Sequence, residues 1–454
     1  MKGEGGKLST VTEDLYRTPE GYVIDSPDLL MPWGVGSVWA IRDANAEHLR
    51  TIDTFLEMGK ATGVEDLLAR QDAAAGMPWV NTTAADRAGN VLYADHSVVP
   101  HVTDDMAAVC MTAVGRVLDQ VAGLPGLDGT RAGSSCAWGA DEDAERPGIL
   151  GPSNLPAVVN RSWVHNANDS YWTPSYDDGL EGYDSIIGCE QCVRTMRTRV
   201  VAAYVGDRLA AGKKETPASF AAHEYENRVM AAEVMRADGA LDAVCQQTGE
   251  TEACDALAAW DGRSDRTSRG VHLFEAFIDN LPAPLPAVGV DPVWTTPFDP
   301  ADPFRTPAGL NTQNPQVVQA MQTAIDQVRD AGVAFDARWG DLQVAGDRGA
   351  PPIGLGGGAG DSAGNANALK SYRPEQNDDR YKPITYGSSH IQAIAFRRNG
   401  PPITRTILTY SQSEDPTSRF SSDQTRLYGA EKLVRFAWTP AQIRKDQIAI
   451  TRLR

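Results

Sequence analysis

Long hydrophobic runs are absent from this sequence of 454 residues, and their absence excludes one class of protein. No stretch of about 18 consecutive apolar residues occurs, so we predict no membrane-spanning helix. The opening residues, Met1-Lys-Gly-Glu-Gly-Gly6, also lack the apolar core that a secretory signal needs. We therefore expect no export signal in the sequence as it stands.

Positively charged residues are fewer than negatively charged ones. The 42 Lys and Arg residues stand against 60 Asp and Glu residues, which gives a formal net charge of −18. Because an acidic surface repels phosphate backbones, we expect no nucleic-acid partner. A large net charge also keeps a protein in solution, and we take solubility as its main meaning here.

Histidine and cysteine are scarce, with seven and six residues. The histidines contain no H-E-x-x-H pair, the usual zinc-hydrolase signature. The cysteines form three close pairs: Cys110 and Cys136, Cys189 and Cys192, Cys245 and Cys254. A zinc site at Cys189-Glu-Gln-Cys192 would need further ligands, and no second CxxC or histidine pair stands at suitable spacing. Local disulfides are the favoured interpretation, and their connectivity stays open.

What the sequence does contain is a large hydrophobic fraction, 42%, which allows a sizeable core and one to three domains. Alternating patterns predict hairpins at 80–93 and 389–410. Helical spacing predicts helices at 103–123 and 315–331 and a mostly helical region at about 193–282. We find no internal repeat and no clear internal boundary.

Two glycine-rich motifs near residue 360 suggest chemistry on a first inspection. Gly360-Asp-Ser-Ala-Gly364 matches the G-x-S-x-G pattern of a nucleophile elbow, with Ser362 as the nucleophile. An elbow needs a hydrophobic strand before the serine and a helix after it, and neither is predicted here. Gly354-Leu-Gly-Gly-Gly-Ala-Gly360 lacks the Lys-Ser/Thr of a P-loop. A flexible loop is the favoured interpretation of both motifs.

Four separated groups of segments carry a more specific signal. They are Gly76-Met-Pro-Trp-Val-Asn-Thr-Thr-Ala-Ala-Asp-Arg-Ala-Gly-Asn-Val-Leu-Tyr-Ala-Asp95; Leu127-Asp-Gly-Thr-Arg131 with Cys136-Ala-Trp138 and Pro147-Gly-Ile149; Asn166-Ala-Asn-Asp-Ser-Tyr-Trp172 with Leu180-Glu-Gly182 and Arg197-Thr-Arg199; and Tyr386-Gly-Ser-Ser389 with Tyr410-Ser-Gln-Ser-Glu-Asp-Pro416 and Asp423-Gln-Thr425. In order and spacing they resemble the β-subunit of the penicillin-amidase family. Within that family the resemblance is greatest to the aculeacin-acylase and acyl-homoserine-lactone-acylase branch.

The resemblance implies an α+β protein with the αββα four-layer fold of the N-terminal-nucleophile hydrolases, incomplete here and with a helical insertion. Residues 1–454 would be the C-terminal portion of a β-subunit. In this family an autocatalytic cut exposes a β-subunit whose first residue is serine. Its hydroxyl attacks the amide carbonyl with its own α-amine as base, because a hydroxyl needs an adjacent base to become nucleophilic. The implied function is hydrolysis of the C–N bond of a linear amide.

Two residues match the family's supporting catalytic positions. Asn168 stands at the position of the oxyanion-hole asparagine, a role that suits a neutral amide because its NH₂ donates without a charge. Its loop is rich in Asn and Asp, so an asparagine that only shapes a turn is the alternative. Arg197 best matches the arginine that orients the asparagine, and Arg194 and Arg199 remain alternatives to it.

The family's N-terminal serine has no counterpart in this sequence, which begins with Met1. We therefore expect the chain to be inactive alone and to need an α-subunit and the β-subunit's N-terminal segment as partners. The competing hypothesis is a truncated remnant with a structural or binding role. An independent serine hydrolase that uses Ser362 ranks last.

The resemblance also bears on ligands and location. The expected substrate is a small N-acyl amide, such as an acyl-homoserine lactone, a lipopeptide antibiotic or a β-lactam. The chemistry needs no cofactor; some relatives hold a structural Ca²⁺, for which this sequence assigns no ligands. Because the family is commonly exported, we expect a secreted or periplasmic parent protein with disulfides, of which Cys110–Cys136 is the first candidate.

Overall fold

The computed structural model describes residues 10, 12–29, 31–34, 36–46, 48–212, 214–283, 291–346, 352–372 and 382–452. Within these ranges, no helix combines the length and the apolar character that crossing a membrane requires. Contacts divide the chain into two compact units. Unit 1 contains residues 1–164 and 170–190, and unit 2 contains residues 165–169 and 191–454. The expectation of a chain without a clear internal boundary stays a prediction.

Unit 1 combines short antiparallel sheets with helices. Its elements are β1 Arg17–Thr18, β2 Gly21–Ile24, β3 Trp39–Ile41, α1 Thr51–Met58, α2 Val64–Ala74, β4 Thr82–Ala85, β5 Val91–Ala94, α3 Asp104–Cys110, α4 Ala113–Ala122 and β6 Ala157–Asn160. Strands β1, β2 and β3 form one sheet, and β4, β5 and β6 form another. The hairpin predicted at 80–93 is confirmed, because β4 and β5 pair in antiparallel register.

The single helix predicted at 103–123 is wrong, because the structure has two helices there. Thr103 caps α3 by accepting the N–H of Met106, and α3 ends at Cys110. Met111 has extended backbone and pairs with Leu127. Thr112 then caps α4 by accepting the N–H of Gly115. A second capping threonine one residue after an extended residue restarts the helix.

Unit 2 is the larger of the two units. Its helices are α5 Met196–Ala210, α6 Pro217–Glu224, α7 Met230–Met235, α8 Ala240–Gln246, α9 Thr251–Ala259, α10 Val271–Asn280, α11 Pro315–Asp330, α12 Trp339–Leu342, α13 Asp423–Gly429 and α14 Pro440–Asp446. The helices α5 to α10 confirm the predicted helical region, and α11 confirms the helix predicted at 315–331.

The described strands of unit 2 form three sheets. Their bounds are β7 Trp294–Thr296, β8 Ala308–Leu310, β9 Val344–Ala345, β10 Ile353–Gly354, β11 Leu369–Tyr372, β12 Lys382–Gly387, β13 His390–Ala395, β14 Ile403–Leu408 and β15 Val434–Arg435. The sheet orders are β7-β8, β10-β9-β12-β11 and β13-β14-β15. Strands β13 and β14 confirm the hairpin predicted at 389–410. This mixture of helices and sheets confirms the α+β class.

The main core of unit 2 positions one wall of the site described below. Helix α10 buries Phe274 and Phe277 completely, and these rings pack against apolar side chains of α11 such as Met321. Burial of a phenylalanine stabilises a fold by about 1.5–3 kcal/mol, so this helix pair is firmly held. Glu275 and Asp279 stand one turn apart on α10 and line a cleft.

The cysteines are disulfide-bonded. Cys110 and Cys136 form a disulfide in unit 1, as the sequence predicts, and Cys245 and Cys254 form one in unit 2. Cys189 and Cys192 are also oxidised, which leaves no free cysteine in the described ranges. A disulfide sulfur is not a thiolate ligand, so the zinc alternative at Cys189 and Cys192 is wrong.

Candidate active site

The loop that carries Asn168 is built by its own polar side chains. Oδ1 of Asn166 accepts the backbone N–H of Asn168 at 2.8 Å, which makes a tight turn. Asn168 has a positive φ of 60°, a conformation that asparagine tolerates better than most residues. Asn166 supplies the side-chain acceptor of this turn and Asn168 its positive-φ residue, so a turn-shaping role for Asn168 fits the same geometry as an oxyanion role.

Asp169 fastens this loop to the start of helix α5. Its Oδ2 accepts the backbone N–H of Thr195 at 2.8 Å and the hydroxyl of Thr198 at 2.9 Å. Thr195 is itself the N-cap of α5, and the guanidinium of the buried Arg194 lies 3.4 Å from Asp169. The first turn of α5 is thereby held next to Asn168.

Arg197, in that first turn, makes two directed hydrogen bonds. Its Nη2 donates to Oδ1 of Asn168 at 2.6 Å, and its Nε donates to Oδ1 of Asp361 at 2.9 Å. The planar guanidinium presents its donors in a rigid fork, so both partners are fixed relative to each other. Asn168 and Arg197, which the sequence analysis singles out, are thus in direct contact.

The other two candidate arginines contact groups other than the Asn168 side chain. Arg194 pairs with Asp169, and Arg199 donates to the backbone carbonyls of Phe304 and Pro307 at 2.8 and 3.0 Å. Burial lowers the pKa of Arg199 to about 10, and the two carbonyls take up its N–H donors. Arg197 donates a hydrogen bond to Asn168 and is therefore the arginine that we assign to the orienting role.

The bond from Arg197 decides how the Asn168 amide is turned. A guanidinium can only donate, so the amide must direct its oxygen to Arg197 and its NH₂ elsewhere. Among the described residues, no protein group accepts from Nδ2 of Asn168, and the side chain lines an open cleft. The site therefore presents a neutral hydrogen-bond donor whose orientation is fixed by a cation.

The cleft in unit 2 has a volume of about 1090 Å³. Its walls come from α10, α11, the glycine-rich loop and the ends of strands. The polar lining residues are Asn168, Arg197, Glu275, Asp279, Gln327, Asp330, Asp361, Ser362, Ser371, Tyr386, Ser388, Ser389 and His390. Apolar side chains such as Val328, Val333 and Leu369 complete it. The volume is large enough for a small organic ligand.

The glycine-rich loop is held by buried side-chain amides. Asn365 donates to the carbonyl of Ala359 at 3.1 Å and accepts the hydroxyl hydrogen bond of Ser264. Glu275 accepts the N–H of Ala359 at 2.8 Å. A Cβ on Gly358 would lie 2.6 Å from that carboxylate, so a larger residue there would displace the Glu275 side chain. The expectation of a flexible loop stays a prediction, and Asp361 lies in a turn that the N–H of Gly364 closes on the carbonyl of Gly360.

Ser362 lines the same cleft, yet its surroundings differ from those of an elbow. The turn at 361–364 leads into strand β11, with no helix after the serine. In the described part of the chain, no hydrogen bond joins Ser362 to a histidine or carboxylate, and the cleft residue His390 instead contacts the hydroxyl of Thr406. An elbow requires a hydrophobic strand directly before the serine and a helix after it, and the described residues around Ser362 form neither.

Asp361 is the residue that sequence reasoning missed. It belongs to the Gly360–Gly364 motif, whose elbow interpretation concerns only the serine and the glycines. Its contact with Arg197 joins residues 164 positions apart, a separation that no local spacing rule addresses. The sequence signal for Asp361 is an acidic residue in a glycine-flanked motif, directly before the candidate nucleophile Ser362.

Comparison with known proteins gives a consistent result. The family model described as penicillin amidase matches residues 1–445. Aculeacin-A acylase of Actinoplanes utahensis is 37% identical over 431 residues, which cover 91% of this chain and 52% of that protein. The acyl-homoserine lactone acylase PvdQ of Pseudomonas putida is 31% identical over 458 residues, covering 98% of this chain and 55% of its own length. The chain thus spans about half the length of these curated relatives. It belongs to the penicillin amidase family.

Proposed function

We propose that this chain forms the oxyanion-binding part of an acylase, which hydrolyses an N-acyl amide to a carboxylic acid and an amine. The observation that carries the proposal is the Asn168 amide, whose oxygen is held by Arg197 and whose NH₂ lines the cleft with no acceptor among the described residues. Attack on an amide carbonyl places negative charge on its oxygen, and a donor already in position stabilises that charge.

Arg197 acts in this proposal as a positioning residue. Its guanidinium polarises the Asn168 amide through the oxygen, which makes the NH₂ a stronger donor. Asp361 fixes the guanidinium and compensates its charge, so the cation stays where it is. The substrate oxygen therefore receives a hydrogen bond from the neutral amide of Asn168, whose own oxygen accepts from the charged Arg197.

The nucleophile comes, in this proposal, from the part of the protein that corresponds to the relatives' unmatched half. We assign it to an N-terminal serine, whose hydroxyl is activated by its own α-amine. With that part in place, the sheets of unit 2 would belong to the αββα four-layer fold. The parent protein would act in a secreted or periplasmic location.

The substrate class follows from the relatives' names and the size of the cleft. Aculeacin-A and acyl-homoserine lactones are the substrates named for the relatives, and lipopeptide antibiotics, acyl-homoserine lactones and β-lactams are our candidates. In this proposal the acyl pocket is shared with the other part of the protein, so both parts select among the acyl groups.

The test compares two samples on a panel of N-acyl amides from these three classes. The purified chain should release no product, whereas the chain combined with the polypeptide that supplies the serine should release the amine. Turnover by the chain alone that Ser362→Ala abolishes would contradict the proposal. No turnover by the combined sample would instead favour a remnant with a structural or binding role, which the half-length match also accommodates.

A further inference from the structure

The disulfide-bonded cysteines differ in how far solvent reaches them. Cys110, Cys136 and Cys245 are exposed by only 1 or 2%, so the two bonds to which they belong each contain a deeply buried cysteine. Cys189 is instead exposed and Cys192 is partly exposed, and both are disulfide-bonded. Thiol–disulfide exchange requires a thiolate to reach a sulfur atom. Cys189 and Cys192 are therefore the cysteines at which a dissolved thiol can react first.

The sulfur of Cys192 lies against a buried cation. Nη2 of Arg194 donates to Sγ of Cys192, and Nε of the same guanidinium donates to the backbone carbonyl of Cys192 at 3.0 Å. The Arg194 side chain is completely buried, so water screens its charge little. Sulfur leaves a disulfide as a thiolate, and a positive charge next to it stabilises that form. Cys192 is thus positioned to be the leaving sulfur when its bond is attacked.

The same guanidinium takes part in anchoring the loop that carries Asn168. Nη1 of Arg194 lies 3.4 Å from Oδ1 of Asp169, the residue directly after Asn168. The other oxygen of that carboxylate accepts the backbone N–H of Thr195 at 2.8 Å. Arg194 therefore contacts both the oxidised sulfur of Cys192 and the carboxylate that ties the loop to the start of helix α5.

We propose that the Cys192 disulfide is a thiol-exchange site, and that its redox state acts through Arg194 on the loop that carries Asn168. The reactant class is a dithiol. One of its thiolates attacks the other sulfur of the bond, Cys192 leaves as a thiolate, and the second thiolate of the reactant then closes the reactant's own disulfide. Two electrons pass to the cysteine sulfurs. Of the reactant's two protons, one goes to the attacked cysteine and one to solvent.

Reduction changes the charges that meet at Arg194. A disulfide sulfur is neutral and accepts hydrogen bonds weakly, whereas a thiolate is an anion and accepts them strongly. The Cys192 thiolate therefore competes with Asp169 for the donors of the guanidinium. A weaker hold on Asp169 weakens its bond to Thr195 in turn, so the Asn168 loop loosens. No substrate takes part, so this inference does not depend on the acylase chemistry proposed above.

Selective reduction of the isolated chain tests the exchange site. The chain is incubated with dilute dithiothreitol, quenched at intervals in urea with excess N-ethylmaleimide, and mapped by mass spectrometry. The urea unfolds the chain, so every reduced cysteine is labelled whatever its burial. Cys189 and Cys192 should be labelled at least about tenfold faster than the other cysteines. Equal labelling rates for all six would overturn the inference.

Variants of Arg194 separate its charge from simple exposure. Arg194→Met should slow the labelling of Cys192 by about three- to tenfold, because the leaving thiolate loses its cation. Arg194→Lys keeps a positive charge and should recover most of the wild-type rate. Arg269→Met is the control, since it removes an arginine whose side chain is 59% exposed, and it should react like the wild type. A folded Arg194→Met chain that reacts at the wild-type rate would contradict the role of Arg194.

Hydrogen exchange of the wild-type chain measures the effect on the loop without any variant. The N–H groups of Asn168 and Thr195, which donate to Asn166 and Asp169, should exchange at least about threefold faster after selective reduction. Those of helix α11 should not change. Equal exchange of the loop in both redox states would overturn the inference, and so would a uniform increase over the whole chain. Neither readout is an enzyme activity, so failure of the proposed function is a separate result.

Discussion

Arg197 makes the two contacts that define the candidate site at the scale of single residues. It donates to Asn168 on one side and to Asp361 on the other. The pairing with Asp361 restrains the long side chain, and the restrained guanidinium can then determine the orientation of the amide. Asp361 therefore restrains Arg197, and Arg197 in turn orients Asn168.

Asp361→Asn should lower the kcat of the assembled enzyme by about two- to fivefold, because the amide oxygen can still accept from Arg197 and only the attraction of a 65% exposed carboxylate, worth up to about 1 kcal/mol, is lost. KM should change little, since Asp361 acts through Arg197. Steady-state kinetics will measure both constants, with Asp255→Asn on the exposed surface of α9 as the matched control. An unchanged kcat in Asp361→Asn would remove this residue from the account.

The resemblance to a family singles out Asn168 and Arg197 as site residues, whereas physical chemistry alone does not. Four motifs in order were sufficient to align the Asn166–Trp172 segment, and the amide suited the role. The sequence could not choose among Arg194, Arg197 and Arg199. The direction of each side chain depends on the residue at which α5 begins, and the sequence does not fix that residue. Asp361 could not be predicted, since its partner is distant in the chain.

At the scale of elements, helix α6 ends in a carboxyl group that is poorly solvated. Glu224 makes no hydrogen bond or ion pair in the described part of the chain, and burial raises its pKa to about 7. Its pKa in the folded state is above the value of about 4.3 in an unfolded chain, so the folded state binds the proton more tightly. Stability should therefore fall as the pH rises from about 5 through 7.

Glu224→Gln removes the titrating group and should make this chain more stable than the wild type at pH 8, by on the order of 2 kcal/mol, with little difference at pH 5. Urea unfolding at both pH values measures the effect. Glu252→Gln, at an exposed position in the first turn of α9, is the control and should follow the wild type. A Glu224→Gln variant that keeps the wild-type pH dependence would show that another group causes it.

The two disulfides with defined partners should differ in what they contribute. Cys110–Cys136 joins residues 26 positions apart, and Cys245–Cys254 joins residues 9 apart. Removal of a native disulfide costs about 2–5 kcal/mol, and loop entropy makes the longer loop worth about 1 kcal/mol more. Urea unfolding of the two paired Cys→Ala variants compares them, and six free thiols in the mass spectrum of unreduced protein from an oxidising compartment would contradict both bonds.

Periodicity predicted the elements with strong patterns and missed one break. The hairpin of β13 and β14 and the helix α11 have the alternation and the spacing that define their types. The break between α3 and α4 lies in a run of residues that all tolerate helix. It arises because Met111 pairs with Leu127, a tertiary contact that overrides local propensity.

At the scale of the whole molecule, the chain spans about half the length of its curated relatives. In the proposed function, Asn168 would supply the oxyanion donor and the relatives' unmatched half would correspond to the part that supplies the nucleophile. The α+β class and the family could be predicted from the sequence. The division into two contact units could not, since a five-residue segment that carries Asn168 belongs to the later unit.

Asn168→Ala in the assembled acylase is the measurement that tests the central claim most directly. Loss of one oxyanion donor costs about 2.7–4 kcal/mol, so kcat should fall by about 10²–10³ while KM changes little. Asn166→Ala is not a neutral control, because its Oδ1 accepts the N–H of Asn168. Asn399→Ala, in the exposed turn between β13 and β14, is the matched one. A kcat of Asn168→Ala within a factor of about three of the control, with unchanged melting temperature, would contradict the account.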